Sequence, residues 1–568
     1  MVDFRSKAEL SDVPDNLTIP QFIFGASHPY RPEVKEDVPW LIDDSTGRRI
    51  GGEEIRTRAD ALANGLFYRW HIQENDVVCL FSPNHVDYPV AICRAIHKLG
   101  AAVTGANPGY TTSELTYQLE LTKAKAMLVH PGNLSVALEA AQNTNLPLSH
   151  IALMEPGDVS VSLSSVHDLI SEGLSRPPSF TERHLNSGEA KTRVAFLMLS
   201  SGTTGKPKAV CMSHYGAIAG IIQLAIHAKS NANLRTCENQ GYRPGDVMLV
   251  VAPFYHVFGL IVVLHFGVFG GVSLVVVTKF SFVGMLKSIE HYRINHLLVV
   301  PPQVILLCKH PAVKNFDLSS VRSIISGAAP LAGETATALA QIFPQAIIGQ
   351  GYGMTEVIFI AFARIDKQID PFGSAGQLMP GVVARVVKQD GSLAGYREPG
   401  HLLISSPSVS MGYLDNDQAT KETFVDGWVH TGDEVFINEE AEIFVVDRIK
   451  ELIKVKGFQV APAELEGHLL DHPDVSDACV IGIPDDYSGE LPLAFVVLIP
   501  NADERTKSNP AETEKIKAAL MKHVADAKVQ YKHLTGGVEF IESIPKSPNG
   551  KLLRRLLRER AGELRVKG

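Results

Sequence analysis

Nine consecutive residues, Ser200-Ser201-Gly202-Thr203-Thr204-Gly205-Lys206-Pro207-Lys208, gather four hydroxyls, two glycines and two ammonium groups behind an apolar run at 194–199. The run reads as a buried strand, and Pro207 fixes the backbone between the two lysines. Backbone N–H groups, hydroxyls and ammonium groups in one short loop make a cradle for polyphosphate oxygens. The kinase-type pattern G-x-x-x-x-G-K-[ST] does not fit, because Gly202 and Gly205 stand too close and Pro207 follows Lys206. The loop therefore points to nucleotide phosphates held in a different way.

Five more segments follow in chain order: Pro253-Phe254-Tyr255-His256, Gly349-Gln350-Gly351-Tyr352-Gly353-Met354-Thr355-Glu356, Gly427-Trp428-Val429-His430-Thr431-Gly432-Asp433, a block at 447–466 opening Asp447-Arg448-Ile449-Lys450, and Pro545-Lys546-Ser547-Pro548-Asn549-Gly550-Lys551. In order and spacing the set resembles the adenylate-forming superfamily of acyl-CoA synthetases, luciferases and nonribosomal-peptide adenylation domains. The block at 447–466 is most similar to that of 4-coumarate–CoA ligases and luciferase-type acyl-CoA ligases. The likeness runs from about Trp40 to Arg555.

The resemblance implies ATP-dependent activation of a carboxylic acid as acyl-AMP, then transfer of the acyl group to the thiol of CoA. Attack of one anion on another requires positive charge and fixed donors where negative charge develops. The family pattern assigns ATP or AMP contacts to Ser200, Ser201, Gly202, Thr203, Thr204, Gly205, Lys208, Gln350, Gly351, Tyr352, Thr355, Asp433 and Arg448. Tyr352 would lie against the adenine, Asp433 would fork the ribose hydroxyls, and Arg448 would join it from the lid side. Glu356, with Thr204, suits Mg²⁺, a hard cation that bridges substrate phosphates with few protein ligands. Lys551 resembles the lysine that bridges the acyl carboxylate and the α-phosphate. His256 matches a position beside the acyl carbonyl. Lys454 and Gln459 match lid residues that approach the adenylate after the lid rotates, and Lys279, Lys456 and Gly457 match contacts to CoA. Phe258, Ala328, Val357 and Ile358 are the candidate acyl-pocket residues.

These groups need elements to hold them. Short apolar runs at 77–81, 126–129, 195–199, 248–251, 272–277 and 297–300 alternate with longer helical patterns, which argues for α/β layers with parallel strands. At 568 residues the chain exceeds one core. The expected architecture is a large N-terminal adenylation domain, residues 1–449, of layered α/β subdomains, and a small mobile α+β lid, residues 450–568, hinged near Lys450. The polar stretch 501–512 reads as a surface loop, and Gln350 to Glu356 as a glycine-rich turn.

Composition excludes other classes. A net charge of −9 argues against a nucleic-acid binder. Six scattered cysteines without a C-x-x-C pair read as reduced thiols, hence an intracellular, metal-free protein as far as the cysteines go. Residues 257–277 contain only His265 and Ser273 as polar side chains, but four glycines interrupt them, so a buried helix and strand are expected rather than a membrane span. Asp3, Arg5, Lys7 and Glu9 leave no secretory apolar segment at the start, and the end is not of the peroxisomal S-K-L type, so a cytoplasmic location is expected.

The pattern departs from the plant ligases in places. Phe258 stands where they carry a tyrosine that bonds a phenolic hydroxyl, His401 replaces a glutamate and Ala209 a glycine. Residues 357–360 are bulky and apolar. The acid is expected to be apolar, aryl or medium-chain aliphatic. A separate carrier protein as acceptor, or a nucleotide-binding relative without turnover, remain as alternatives at this level.

Overall fold

The computed structural model describes residues 3–33, 37–157, 163–200, 207–230, 241–331, 333–364, 367–369, 373–455, 458–485, 488–546, 550 and 552–567. Among them, four sheets organise the chain. The first has seven strands, with Val77–Phe81 at its centre, flanked by Ala102–Ala106 and Ala126–Val129 in parallel. Every residue of Val77–Phe81 is buried, as expected of a strand covered on both faces. At one edge Val194–Ser200 turns back as the antiparallel hairpin strand Lys208–Ser213. The second sheet has nine strands, with a parallel centre of Val247–Val250, His296–Val299, Ser323–Ser326 and Ile347–Met354 and an antiparallel continuation through Val357–Phe362. The helix His214–Ser230 touches strands of both sheets and closes the core between them.

The third sheet is antiparallel throughout and departs from the parallel pattern expected for the first 440 residues. Its long strand Trp428–Ile437 carries Asp433 and pairs with Ile443–Arg448. The fourth sheet, built from residues 453–540, has its own core and two principal helices, Pro462–Leu470 and Pro510–Ala527. Lys450 is exposed in the turn between the third sheet and the fourth, where the Arg448 carbonyl accepts from the N–H groups of Glu451 (2.8 Å) and Leu452 (3.1 Å).

Two local expectations change, and the one for residues 257–277 holds. Residues 501–512 are not a loop: helices Pro500–Ser508 and Pro510–Ala527 occupy them, each starting on a proline, and Asn509 accepts from the Ala511 N–H at 3.0 Å. Proline at a first helical position needs no N–H partner, so polarity there marked a solvated helix rather than a loop. Gln350 to Met354 lie in a strand, not a turn; the turn is confined to Thr355 and Glu356. Residues 257–277 form a π-helical segment Phe258–His265, a short helix Phe266–Phe269 and the strand Ser273–Val276. Among the described residues no helix is long and apolar enough to cross a membrane.

Three histidines are sealed in the core around Phe196. The rings of His97 and His265 meet it edge-on at 5.0 and 5.7 Å, and His214 lies 4.9 Å from His97. Burial holds His97 and His265 down at about 4, and His214 well below its usual value. As pH falls through about 6.5 the unfolded chain takes up these protons first, so native stability drops between about 6.5 and 4. His97 and His265 each cost on the order of 3 kcal/mol over that window. Urea unfolding followed against pH should show uptake of about three protons or more at pH 5; uptake of less than one would contradict the neutral burial of this cluster.

Candidate active site

The hairpin that carries the first motif is fixed at both ends. Ser200 and Lys208 are cross-strand partners, and the Pro207 carbonyl accepts from the Tyr117 hydroxyl at 2.8 Å. Ser201, Gly202, Thr203, Thr204 and Gly205 lie outside the described residues. Lys208 places its ammonium 4.6 Å from the centre of the Tyr413 ring. The Tyr413 hydroxyl donates to Glu356 Oε1 at 2.8 Å, and burial followed by that carboxylate pushes the phenol up. Residues 411–414 run beside Lys208–Ser213 through three backbone hydrogen bonds: Cys211 N–H to Gly412 O, Met411 N–H to Cys211 O, and Leu414 N–H to Ala209 O. The Ser410 N–H also donates to the Glu356 carbonyl at 2.9 Å. Glu356, buried, is thereby tied to the base of the phosphate hairpin.

A cleft of about 560 Å³ opens between the large domain and the lid. Its floor is the strand Ile347–Met354. The Gln350 amide oxygen accepts from the Leu331 N–H at 2.6 Å, and its nitrogen donates to the Ser374 carbonyl at 3.0 Å. Gln350 therefore braces the cleft wall: its amide is spent on the loop that holds Ala328 at φ +70°, a left-handed conformation costly for a residue with a Cβ. Gly351 and Tyr352 line the cleft beside Ala328. At Gly353 a Cβ would stand 2.3 Å from the Ile358 carbonyl oxygen, so only glycine lets the two antiparallel strands meet there.

Tyr352 donates its hydroxyl to Asp433 Oδ2 at 2.5 Å, and burial, followed by the neighbouring carboxylate, holds that phenol well above its usual range. Asp433 Oδ1 lies 3.6 Å from Arg448 Nε. Arg448 does not come from the lid side: it sits directly opposite Asp433 on the adjoining strand of the third sheet. The Gly432 N–H donates to His401 Nε2 at 3.2 Å, so the histidine braces the turn before Asp433.

The lid side of the cleft is formed by Lys546, Gly550, Leu552 and Arg554, among others. Lys551 lies outside the described residues, but both neighbours face the cleft. Gly550 adopts φ +77°, and a Cβ on it would lie 3.3 Å from Val300 Cγ2. Lys454 and Gln459 are cross-strand partners in the hairpin of Ile453–Val455 and Phe458–Val460, where Lys454 is exposed. Lys456 and Gly457 are outside the described residues. Lys279 is exposed after the strand Ser273–Val276 and stands apart from the cleft.

His256 precedes the π-helical segment, and its Nδ1 accepts from the Phe258 N–H at 3.3 Å, which assigns the proton to Nε2 in the neutral ring. The Phe258 ring edge lies 3.2 Å from where a Cβ on Gly327 would stand. Val357 and Ile358 are fully buried, and Ile358 packs on Gly220 of the helix His214–Ser230. Thr355 sits half-buried in the turn before Glu356. Tyr413 was missed in the sequence; its only signal was an aromatic after glycine in a serine-rich stretch.

The chain matches the AMP-binding enzyme family over residues 29–414 and the AMP-binding enzyme C-terminal domain over residues 464–551. It is similar to 4-coumarate-CoA ligase 1 of Narcissus pseudonarcissus, 36% identical over 98% of this chain and 96% of that one. It is likewise similar to 4-coumarate--CoA ligase 3 of Arabidopsis thaliana, 35% identical over 98% and 93%. In fold it resembles ATP-bound MatB from Rhodopseudomonas palustris, with a TM-score of 0.80 and 24% identity over 97% of this chain and 99% of that one. These relatives make the chain an adenylate-forming enzyme of the acid–thiol ligase class, with a cleft between a large α/β domain and a small lid. The chain belongs to the AMP-binding enzyme family.

Tyr413→Phe removes the hydroxyl that Glu356 Oε1 accepts from. A lower urea midpoint with an unchanged slope is expected, worth roughly 1–3 kcal/mol for a buried charged acceptor; an unchanged midpoint would contradict the assigned contact.

Proposed function

We propose that the protein activates an apolar carboxylic acid, aryl or medium-chain aliphatic, as its acyl-AMP and passes the acyl group to CoA. The observation that carries this reading is the cleft whose floor holds the Tyr352–Asp433 pair and whose lid side presents both neighbours of Lys551. A carboxylate oxygen attacks the α-phosphorus of ATP, and the bond from that phosphorus to pyrophosphate breaks. The phosphate hairpin, with Lys208, holds the leaving pyrophosphate; Tyr352 and Asp433 orient the adenosine; Lys551 stabilises charge between carboxylate and α-phosphate. The oxygen donors at Glu356 and Thr355 fit Mg²⁺, with Thr204 from the hairpin, and the ion supplies charge neutralisation on the phosphates when bound.

In the second half-reaction the CoA sulfur attacks the acyl carbonyl, the C–O bond to AMP breaks, and AMP leaves with the electron pair. In this reading a lid rotation about Lys450 exchanges the Lys551 turn for the hairpin of Lys454 and Gln459. Lys279, Lys456 and Gly457 are the CoA contacts in this reading, and His256 flanks the reacting carbonyl.

Acid-dependent, Mg²⁺-dependent ATP–pyrophosphate exchange is the first expected outcome, and Lys551→Ala should abolish it while sparing thioester formation from supplied acyl-adenylate. The loss corresponds to about 3 kcal/mol or more, as for a donor acting in the transition state. Lys454→Ala and Gln459→Ala should instead accumulate bound acyl-AMP with little thioester. Equal damage to both half-reactions in all three variants would rule the alternation out.

Phe258 offers no donor to a phenol, and burying that hydroxyl unpaired costs roughly 1–3 kcal/mol. Cinnamate or hexanoate should therefore exceed 4-coumarate in kcat/KM by about ten- to a hundredfold, with Phe258→Tyr narrowing the gap. A clear preference for 4-coumarate would overturn the pocket assignment.

A further inference from the structure

The lid helix Pro462–Leu470 is gripped at both ends by charged side chains of the large domain. At its start, Asp447 Oδ2 accepts from the Ala463 N–H at 3.1 Å. Asp447 ends the strand Ile443–Arg448, is buried, and accepts the Arg448 N–H on its other oxygen at 2.7 Å. At the far end, Lys309 Nζ donates to the carbonyls of Leu470 and Val475, each at 3.2 Å. Leu470 is the last residue of the lid helix and Val475 opens the strand that follows. A carboxylate at a helix N-terminus and an ammonium at its C-terminus both match the helix dipole and take up orphan backbone groups.

Lys309 is also the last residue of the helix Pro301–Lys309, whose first turn meets the Lys551-bearing loop: a Cβ on Gly550 would be 3.5 Å from Pro302 Cδ. One rigid element of the large domain thus touches the lid at two places, the catalytic turn and the end of the lid helix. Rotation about Lys450 must break the Lys309 and Asp447 contacts together, because both link residues before the hinge to residues after it.

We propose that Lys309 and Asp447 are positioning residues that clamp the lid helix Pro462–Leu470 in the orientation that brings Gly550 and Leu552 to the cleft, and so set the partition between the two half-reactions. The proposal rests on the functional reading above. Neither residue touches the reacting atoms; each acts through the lid.

The test compares wild type with Lys309→Met, Lys309→Arg and the double variant Lys309→Met/Asp447→Ala. Lys309→Met should slow acid-dependent pyrophosphate exchange about two- to fivefold, the range for one charge at a helix end. Thioester formation from supplied acyl-adenylate and CoA should be undiminished or faster. Lys309→Arg should restore exchange, and the double variant should lose more than the single one. A fluorophore pair spanning lid and large domain reads orientation without catalysis, and Lys309→Met should shift its distance distribution away from that of wild type. Equal losses in both half-reactions, or exchange and distance unchanged from wild type, would overturn the clamp. Exchange absent from wild type with every acid would instead remove the functional reading, with the distance measurement still deciding the clamp. Lys309 is exposed, so its variants keep the test intact if the Asp447 substitution fails to fold.

Discussion

The close approach of the strands Ile347–Met354 and Val357–Phe362 is the constraint on which the site depends. The first strand is parallel to Ser323–Ser326 on one side and antiparallel to its successor on the other. A Cβ at Gly353 would sit 2.3 Å from a backbone oxygen of the partner strand. With that approach allowed, Gln350 braces the Ala328 loop, Tyr352 reaches Asp433, and Glu356 emerges at the turn toward Tyr413 and Lys208. Three sheets contribute to one cleft because this strand pair ends where they converge.

Charge is arranged around that scaffold by burial as much as by attraction. Asp433 stands between a phenol whose ionisation burial suppresses and a guanidinium across the sheet. Asp447 is pushed up by burial although Arg554 pulls it the other way. Arg554 itself forks Glu466 with two bonds of 2.8 Å inside the lid. Replacing either partner of that buried pair would strand a charge, which costs far more than the pair contributes. The buried Arg554–Glu466 pair of the lid and the buried Asp447 therefore share one low-dielectric region.

Most of the fold class and the core of the site were legible in the sequence. Apolar runs at 77–81 and 126–129 became strands with those bounds, because a strand buried on both faces needs a continuous apolar segment. Tyr352, Asp433 and Glu356 were readable because glycines and a threonine around them leave few structural uses for their polar groups. Other features depended on contacts between distant segments. The amide of Gln350 pointed to adenine by motif, but Leu331 and Ser374, both remote in sequence, claim it. The resemblance implies that Arg448 meets Asp433 from the lid side, whereas strand pairing puts it directly opposite Asp433 within the third sheet. Tyr413 carries only a faint local signal and Lys309 none, since their partners lie 57 and 161 residues away.

The central claim is that the carboxylate attacks phosphorus and that the resulting mixed anhydride is then opened at carbon. An acid labelled with heavy oxygen in its carboxylate tests this most directly. One labelled oxygen should appear in the phosphate of AMP after turnover with ATP, Mg²⁺ and CoA, and the thioester should keep the other. Label in inorganic phosphate alongside ADP, or AMP formed without label, would contradict the account.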